Sequence, residues 1–200
     1  MLITKSYFIK VKQMNQHNTL NFQKALLGGG CFWCLEAVYQ ELVGVVKVIS
    51  GYAGGHDTQP KYEAVCDGRT GHAEVVEILF DPAIISFRQI LEVFFVIHDP
   101  TTLNRQGHDS GTQYRSVVYC QDQQQLLEIE KFIQELKDQK VYASPIVTEV
   151  TLAPIFYPAE QYHQNYFRTN PFQGYCMGVV APKLDKFRKT FTSLRISSEE

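Results

Sequence analysis

No stretch of this 200-residue sequence is apolar for long enough to span a membrane. Neither sign of charge dominates: 19 Lys and Arg stand against 21 Asp and Glu, a formal net charge of −2. That balance gives no electrostatic reason to expect nucleic acid or an acidic membrane surface as a partner. An even set of cysteines is missing too. The five, Cys31, Cys34, Cys66, Cys120 and Cys176, cannot all pair, which argues against a secreted disulfide framework and for reduced thiols. A second Cys-x-x-Cys pair is absent, and His56, His72, His98, His108 and His163 are scattered, so a structural zinc lacks its four ligands. No Gly-Lys-Ser/Thr follows the Gly28–Gly30 run, which leaves a phosphate loop without its lysine. Repeats and low-complexity tracts are lacking as well.

What remains is ordinary globular composition, 44% apolar and 20% charged, at a length that suits one domain. Residues 1–23 scatter Lys5, Lys10, Lys12, Gln13, Asn15, Gln16 and His17 among few apolar residues. That segment lacks the apolar core of a secretory signal and is expected as a flexible leader on a cytoplasmic protein, with residues 24–200 as the single domain.

Along the domain, strand-like and helix-like patterns alternate. Ala25–Leu27, Val43–Ile49, Ala73–Phe80, Arg115–Cys120 and Ile146–Leu152 read as strands. Helical spacing is expected from Phe32 to about Leu42, through Leu126, Ile129, Ile133 and Leu136, over Pro158–Phe167, and around Leu184, Phe187 and Phe191. Ser86 and Gln89 form a capping-box pair, with Ile85 and Ile90 placed as a staple, opening a helix to about Ile97. Mixed connection lengths favour an α+β domain over a regular parallel α/β sheet.

The chemistry concentrates in Gly28-Gly29-Gly30-Cys31-Phe32-Trp33-Cys34-Leu35-Glu36, where a strand gives way to a helix. A thiol at a helix start sits near unsatisfied backbone N–H groups and the positive end of the helix dipole, and both favour the thiolate. Phe32 and Trp33 can form an apolar wall that strips water from a small substrate. Glu74 opens an apolar strand on a face shared with Val76 and Ile78. Desolvation there raises its pKa and makes it a proton donor near neutral pH, whereas a solvent-facing charge at a strand edge is the plainer alternative. Asp109 and Tyr114 lie in the glycine-bounded loop Gly107–Ser116, as orienting groups or as parts of a simple turn. Tyr62 is a site hydroxyl or a surface tyrosine. Cys66 and Cys120 are expected as small buried apolar residues.

Gly-Cys-Phe-Trp-Cys-Leu-Glu at Gly30–Glu36 resembles the signature of the A-type peptide methionine-S-sulfoxide reductase family. The resemblance continues through Ser50–Gly55, Tyr62–Cys66, Thr70–Val76, Phe80–Pro82, His98–Thr101, Gln106–Ser116 and Asn170–Cys176, in the family's order from about Ala25 to Lys189. It implies a two-layer α+β sandwich with a mixed sheet, flanking helices and a ferredoxin-like core. Cys31 then resembles the nucleophile that attacks the sulfoxide sulfur. Glu74 resembles the acid that protonates the sulfoxide oxygen, Tyr62 and Tyr114 the hydroxyl pair that binds it, and Asp109 their polar partner. Phe32 and Trp33 are the implied cradle of the substrate methyl group, and so of the choice between epimers. The sulfenic acid left on Cys31 is resolved by Cys176 on a mobile carboxy-terminal stretch, the preferred assignment, or by Cys34. Thioredoxin is the implied reductant of the resulting disulfide. The substrate is methionine-S-sulfoxide in proteins or free. No metal or organic cofactor is needed, and a monomer is expected. A thioredoxin-like disulfide oxidoreductase and a non-enzymatic module gripping methionine side chains are the rival readings.

Overall fold

The computed structural model describes residues 21–196. Of the leader expected over 1–23, residues 1–20 lie outside that range, and Gln23 already opens the first strand. Six strands form one sheet: β1 (Gln23–Gly28), β2 (Val45–Ala53), β3 (Ala73–Phe80), β6 (Val117–Cys120), β7 (Glu149–Leu152) and β8 (Phe156–Pro158). β4 (Arg105–Gln106) and β5 (Asp109–Ser110) make a separate two-stranded ribbon. The order is β7-β6-β1-β3-β2-β8, antiparallel throughout except for the parallel β6–β7 pair, so the sheet is mixed. With the helices α1 (Phe32–Tyr39), α2 (Tyr62–Cys66), α3 (Phe87–Ile97), α4 (Gln123–Asp138), α5 (Tyr166–Thr169) and α6 (Ala181–Thr190), the domain is α+β, as the pattern indicated.

The main core forms between the sheet and α1, α3, α4 and α6. Phe80, Phe94, Leu35, Val38 and Phe187 are fully buried there with Leu27, Ile78 and Val118 of the sheet. A smaller cluster, Leu26, Ala53, Ala73, Val75, Val117 and Tyr119, covers the opposite face. Alternation along β1 and β3 divides their residues between the two clusters. α3 begins where its capping box placed it: Ser86 Oγ accepts from the Gln89 N–H, and the Gln89 side chain accepts from the Ser86 N–H. Ile85 and Ile90, the expected staple, are buried. Among the described residues no helix is long and apolar enough to cross a membrane.

The strand register decides where the site forms. Leu27 pairs with Val76, Tyr52 with Glu74, and Gly28 with Val117. The carboxy-terminal ends of β1 and β2 therefore meet the amino-terminal ends of β3 and β6, and the chain leaving β1 runs past Glu74 into α1. β2 reaches Ala53, four residues beyond the expected end, which brings Tyr52 into the sheet.

The helix expected over Pro158–Phe167 is not formed. Pro158 ends β8, a single 3-10 turn spans Gln161–His163, and only Tyr166–Thr169 is α-helical. Tertiary hydrogen bonds override the spacing. The Gln164 side chain accepts from the Ser50 N–H and donates to the Ser50 and Ala159 carbonyls, holding Gln164 extended. Asn165 follows in the left-handed region at φ 56. Gln164 and Asn165 together break any continuous helix.

Candidate active site

Cys31 is the N-cap of α1 and is buried. The glycines before it are needed for space and backbone conformation. Gly30 has φ +89, a conformation that side chains rarely adopt, and a Cβ at Gly29 would lie 2.8 Å from Phe94 Cε2 and 3.1 Å from the His98 ring. His98 closes this floor. Its Nδ1 lies 2.6 Å from the Phe94 carbonyl and its Nε2 2.8 Å from Ser116 Oγ. Burial pushes its pKa down to about 4. A folded pKa below the unfolded one means that the unfolded chain binds a proton the native state refuses. Stability from this group is present above about 6.5 and is lost as pH falls towards 4, roughly 3 kcal/mol in all. The buried acids described below titrate in the opposite sense, so the wild type must be compared with His98→Gln. The stability difference between them is expected to widen in favour of the wild type from pH 4 to 7 in denaturant titrations. A pH-independent difference would show that His98 is not held neutral.

Glu74 is 1% exposed, and its Oε2 accepts from the Phe32 N–H at 3.0 Å. Burial, then the neighbouring Cys31 and Asp109, raises its pKa well above the usual carboxylate value, against the pull of the Phe32 N–H. The solvent-facing alternative is thereby excluded. Burial thus favours the protonated, proton-donating form of this side chain, which stands beside a thiol.

The thiols do not follow the helix-dipole expectation. Burial is the largest influence on Cys31 and raises its pKa, and the adjoining Cys34 raises it further. Cys34 goes the other way: the hydrogen bond it receives from Cys31 lowers its pKa, opposed by burial and aided by the Lys183 cation. Of the two thiols, Cys31 is thus the one whose pKa is pushed up and Cys34 the one whose pKa is brought down. The dipole effect on Cys31 loses because desolvating a buried anion costs more than one helix end returns.

Cys176 is fully buried rather than on a loose tail. It begins a π-helical turn, Cys176–Val180, that runs directly into α6. Burial and then the Cys31 charge raise its pKa, so it stands within electrostatic reach of Cys31. Cys120 is buried as expected. Cys66 is not: it is only partly covered, at the end of α2, and exchanges a hydrogen bond with the Tyr62 hydroxyl. All five cysteines are unpaired.

Aromatic rings enclose the remaining side. Phe32 lies 6.1 Å from Trp33, 5.9 Å from Tyr52 and 5.1 Å from His163, centroid to centroid. Trp33 stacks on Tyr166 at 3.7 Å and 6°, with Tyr175 edge-on at 5.8 Å. The Tyr175 hydroxyl donates to Asp109 Oδ2 at 2.5 Å and is also within hydrogen-bonding reach of Cys31. Tyr62 and Tyr114 are half-buried, and both hydroxyls have pKa values raised chiefly by burial, with the Glu74 charge contributing. Every expected site residue is thus gathered around Cys31 and Glu74.

Sequence reasoning missed three members. His163 is 1% exposed and packed among Phe32, Trp33 and Tyr62, neither ring nitrogen has a hydrogen-bond partner, and burial lowers its pKa. Tyr166 and Tyr175 complete the wall. Tyr175 had a visible signal, its place beside Cys176. His163 and Tyr166 had only the aromatic density of their segment.

An enzyme that moves electrons through cysteine thiols, with a buried carboxyl beside them, is the class this arrangement defines. The family model described as peptide methionine sulfoxide reductase matches residues 23–195. A protein of Polynucleobacter asymbioticus named peptide methionine sulfoxide reductase MsrA is 58% identical over 184 residues, 92% of this chain and 97% of its own length. The crystal structure of Mxr1 from Saccharomyces cerevisiae in reduced form superposes with a TM-score of 0.73 at 36% identity, covering 80% of this chain and 91% of that one. The structure of Mxr1 in complex with Trx2 matches with a TM-score of 0.53 at 26% identity, covering 76% and 88% of the two chains. The chain belongs to the peptide methionine sulfoxide reductase family and is a thiol-dependent oxidoreductase.

Proposed function

We propose that this protein reduces the S epimer of methionine sulfoxide, in polypeptides and as the free amino acid, with electrons supplied by its own thiols. The observation that carries the reading is the Glu74 carboxyl, buried against the Cys31 helix start with its pKa raised by that burial. Cys31 sulfur attacks the sulfoxide sulfur while Glu74 delivers a proton to the oxygen, converting a poor leaving group into a good one. Tyr62 and Tyr114 hydrogen-bond that oxygen, and Asp109 orders the pocket through Tyr175. Phe32 and Trp33 receive the methyl group, and this fixes which epimer presents its oxygen to Glu74. The oxygen departs as water, leaving Cys31 sulfur joined to the methionine sulfur as a sulfonium. A water molecule then attacks Cys31 sulfur, displaces neutral methionine and gives up a proton, so Cys31 is left as a sulfenic acid. A second thiol then displaces water, so two thiols and one sulfoxide give one disulfide, one methionine and one water.

We assign that second thiol to Cys34. It already contacts Cys31, its pKa is lowered, and residues three apart at a helix start lie within disulfide reach. Position in the resemblance had favoured Cys176, and the two assignments give different chemistry. After one turnover, Cys176→Ser is expected to lose two thiols and show a Cys31–Cys34 disulfide by peptide mapping. Cys34→Ser is expected to accumulate a dimedone-trappable sulfenic acid on Cys31. The reverse pattern would return the role to Cys176.

Thioredoxin is the proposed reductant. Mxr1 forms a complex with Trx2, a thioredoxin, and thiol–disulfide exchange is the only chemistry the closing step requires. We further read residues 24–200 as one catalytic domain working as a monomer in the cytoplasm. The strand order β6-β1-β3-β2, all antiparallel with α1 and α3 as crossovers, supports a ferredoxin-like core in two layers.

A further inference from the structure

Glu36 takes no part in the steps above, yet it is 1% exposed on α1 one turn beyond Trp33. A carboxylate is buried only where its oxygens are satisfied. Here Oε1 accepts from the Asn165 N–H at 2.8 Å and Oε2 from the Tyr166 N–H at 3.1 Å. Those N–H groups come from a strap, residues 159–166, that would otherwise be held to the sheet only upstream of this point. Glu160 accepts from the Tyr52 hydroxyl and the Tyr62 N–H, and Gln164 bonds Ser50. Gln40, one turn further along α1, donates to Asn165 Oδ1 at 2.8 Å. The strap's last residue is Tyr166, whose ring covers Trp33 at 3.7 Å and 6°. Glu36 thus joins the helix that bears Trp33 to the backbone that bears its stacking partner.

We propose that Glu36 is the positioning residue for the apolar wall: its carboxylate clamps the Asn165–Tyr166 backbone, keeps Tyr166 stacked on Trp33, and so sets how tightly the methyl sulfoxide group of the substrate is held. The inference rests on the reading of Trp33 as part of the substrate wall. Glu36 touches neither Cys31 nor Glu74 by hydrogen bond, so it acts on recognition and not on bond making.

Glu36→Gln keeps the shape but turns one acceptor into a donor facing an N–H. KM for a methionine-S-sulfoxide peptide is expected to rise about tenfold while kcat stays within about twofold. Trp33 is the only tryptophan in the chain, so fluorescence reports its stacking directly. Its emission is expected to shift to longer wavelength as Tyr166 loosens. In a Tyr166→Ala background, Glu36→Gln is expected to change KM no further, because the clamp has nothing left to position. An unchanged KM, a fall confined to kcat, unmoved emission, or an additive KM effect in the double variant would each overturn the proposal.

Should Glu36→Gln fail to fold, Gln40→Ala removes the neighbouring tie and is expected to raise KM two- to threefold, on the order of one exposed hydrogen bond, with the same emission shift. An unaltered KM in folded Gln40→Ala would then overturn the clamp. If Tyr166→Ala raises KM but Glu36→Gln does not, the wall reading stands and the clamp alone fails. If Tyr166→Ala leaves KM unchanged, the wall reading itself fails and the clamp with it.

Discussion

Cys31→Ser is expected to reduce the rate of methionine formation by about 10⁴-fold or more, to the background of the assay. A hydroxyl is a far weaker nucleophile than a thiol toward sulfoxide sulfur. It also cannot store the oxygen as a sulfenic acid, so neither half of the cycle survives. The substitution is small and conserves a group that can hydrogen-bond to Cys34 and Tyr175. The melting temperature is therefore expected to stay within a few degrees of the wild type, which separates loss of chemistry from loss of fold. The same variant discriminates the rival readings. A module that only grips methionine side chains would bind equally well before and after the change, with no turnover in either form. Full activity in Cys31→Ser would end the mechanism.

Glu74→Gln should slow the reductive step by about 10²- to 10⁴-fold, the usual worth of a positioned proton donor. Its effect on stability has the opposite sign. The Gln carbonyl can still accept from the Phe32 N–H, so the local geometry has a substitute. The wild-type carboxyl has a folded pKa raised by burial, so the native state holds a proton that the unfolded chain gives up above about 4.5. Stability from the protonated acid is complete below that value and is lost as pH rises toward the folded pKa. A glutamine has no such loss. The variant is expected to gain stability relative to the wild type steadily above pH 4.5, measured as urea midpoints in a pH series. A variant that is both slower and less stable at pH 8 would mean that Glu74 is held ionised in the native state.

Residues whose environment is set by near neighbours in sequence were legible before the structure. The β3 limits at Ala73 and Phe80 follow from a period-two pattern closed by Asp81-Pro82. The start of α3 follows from Ser86 and Gln89, two side chains that satisfy each other's backbone. Position within quoted motifs was enough to gather Tyr62, Glu74, Asp109 and Tyr114. Environments set from far along the chain were not legible. Gln164 bonds Ser50, 114 residues away, and that contact abolishes a helix which the local pattern favoured. His163 looked like one of several scattered histidines until the strap placed it against Phe32. The pKa of Cys31 departs from its local pattern for the same reason. A helix start is visible in sequence, whereas the depth of burial that outweighs its dipole depends on α6, β3 and the Tyr175 segment closing over it.

The central claim is that the protein's own thiols carry out one stereospecific reduction. Fully reduced protein, freed of added reductant, should be mixed with the separate S and R epimers of a methionine sulfoxide peptide, and methionine and free thiols counted after a single turnover. One methionine per protein is expected from the S epimer alone, with the loss of two thiols. Methionine from the R epimer, or none from either, would contradict it.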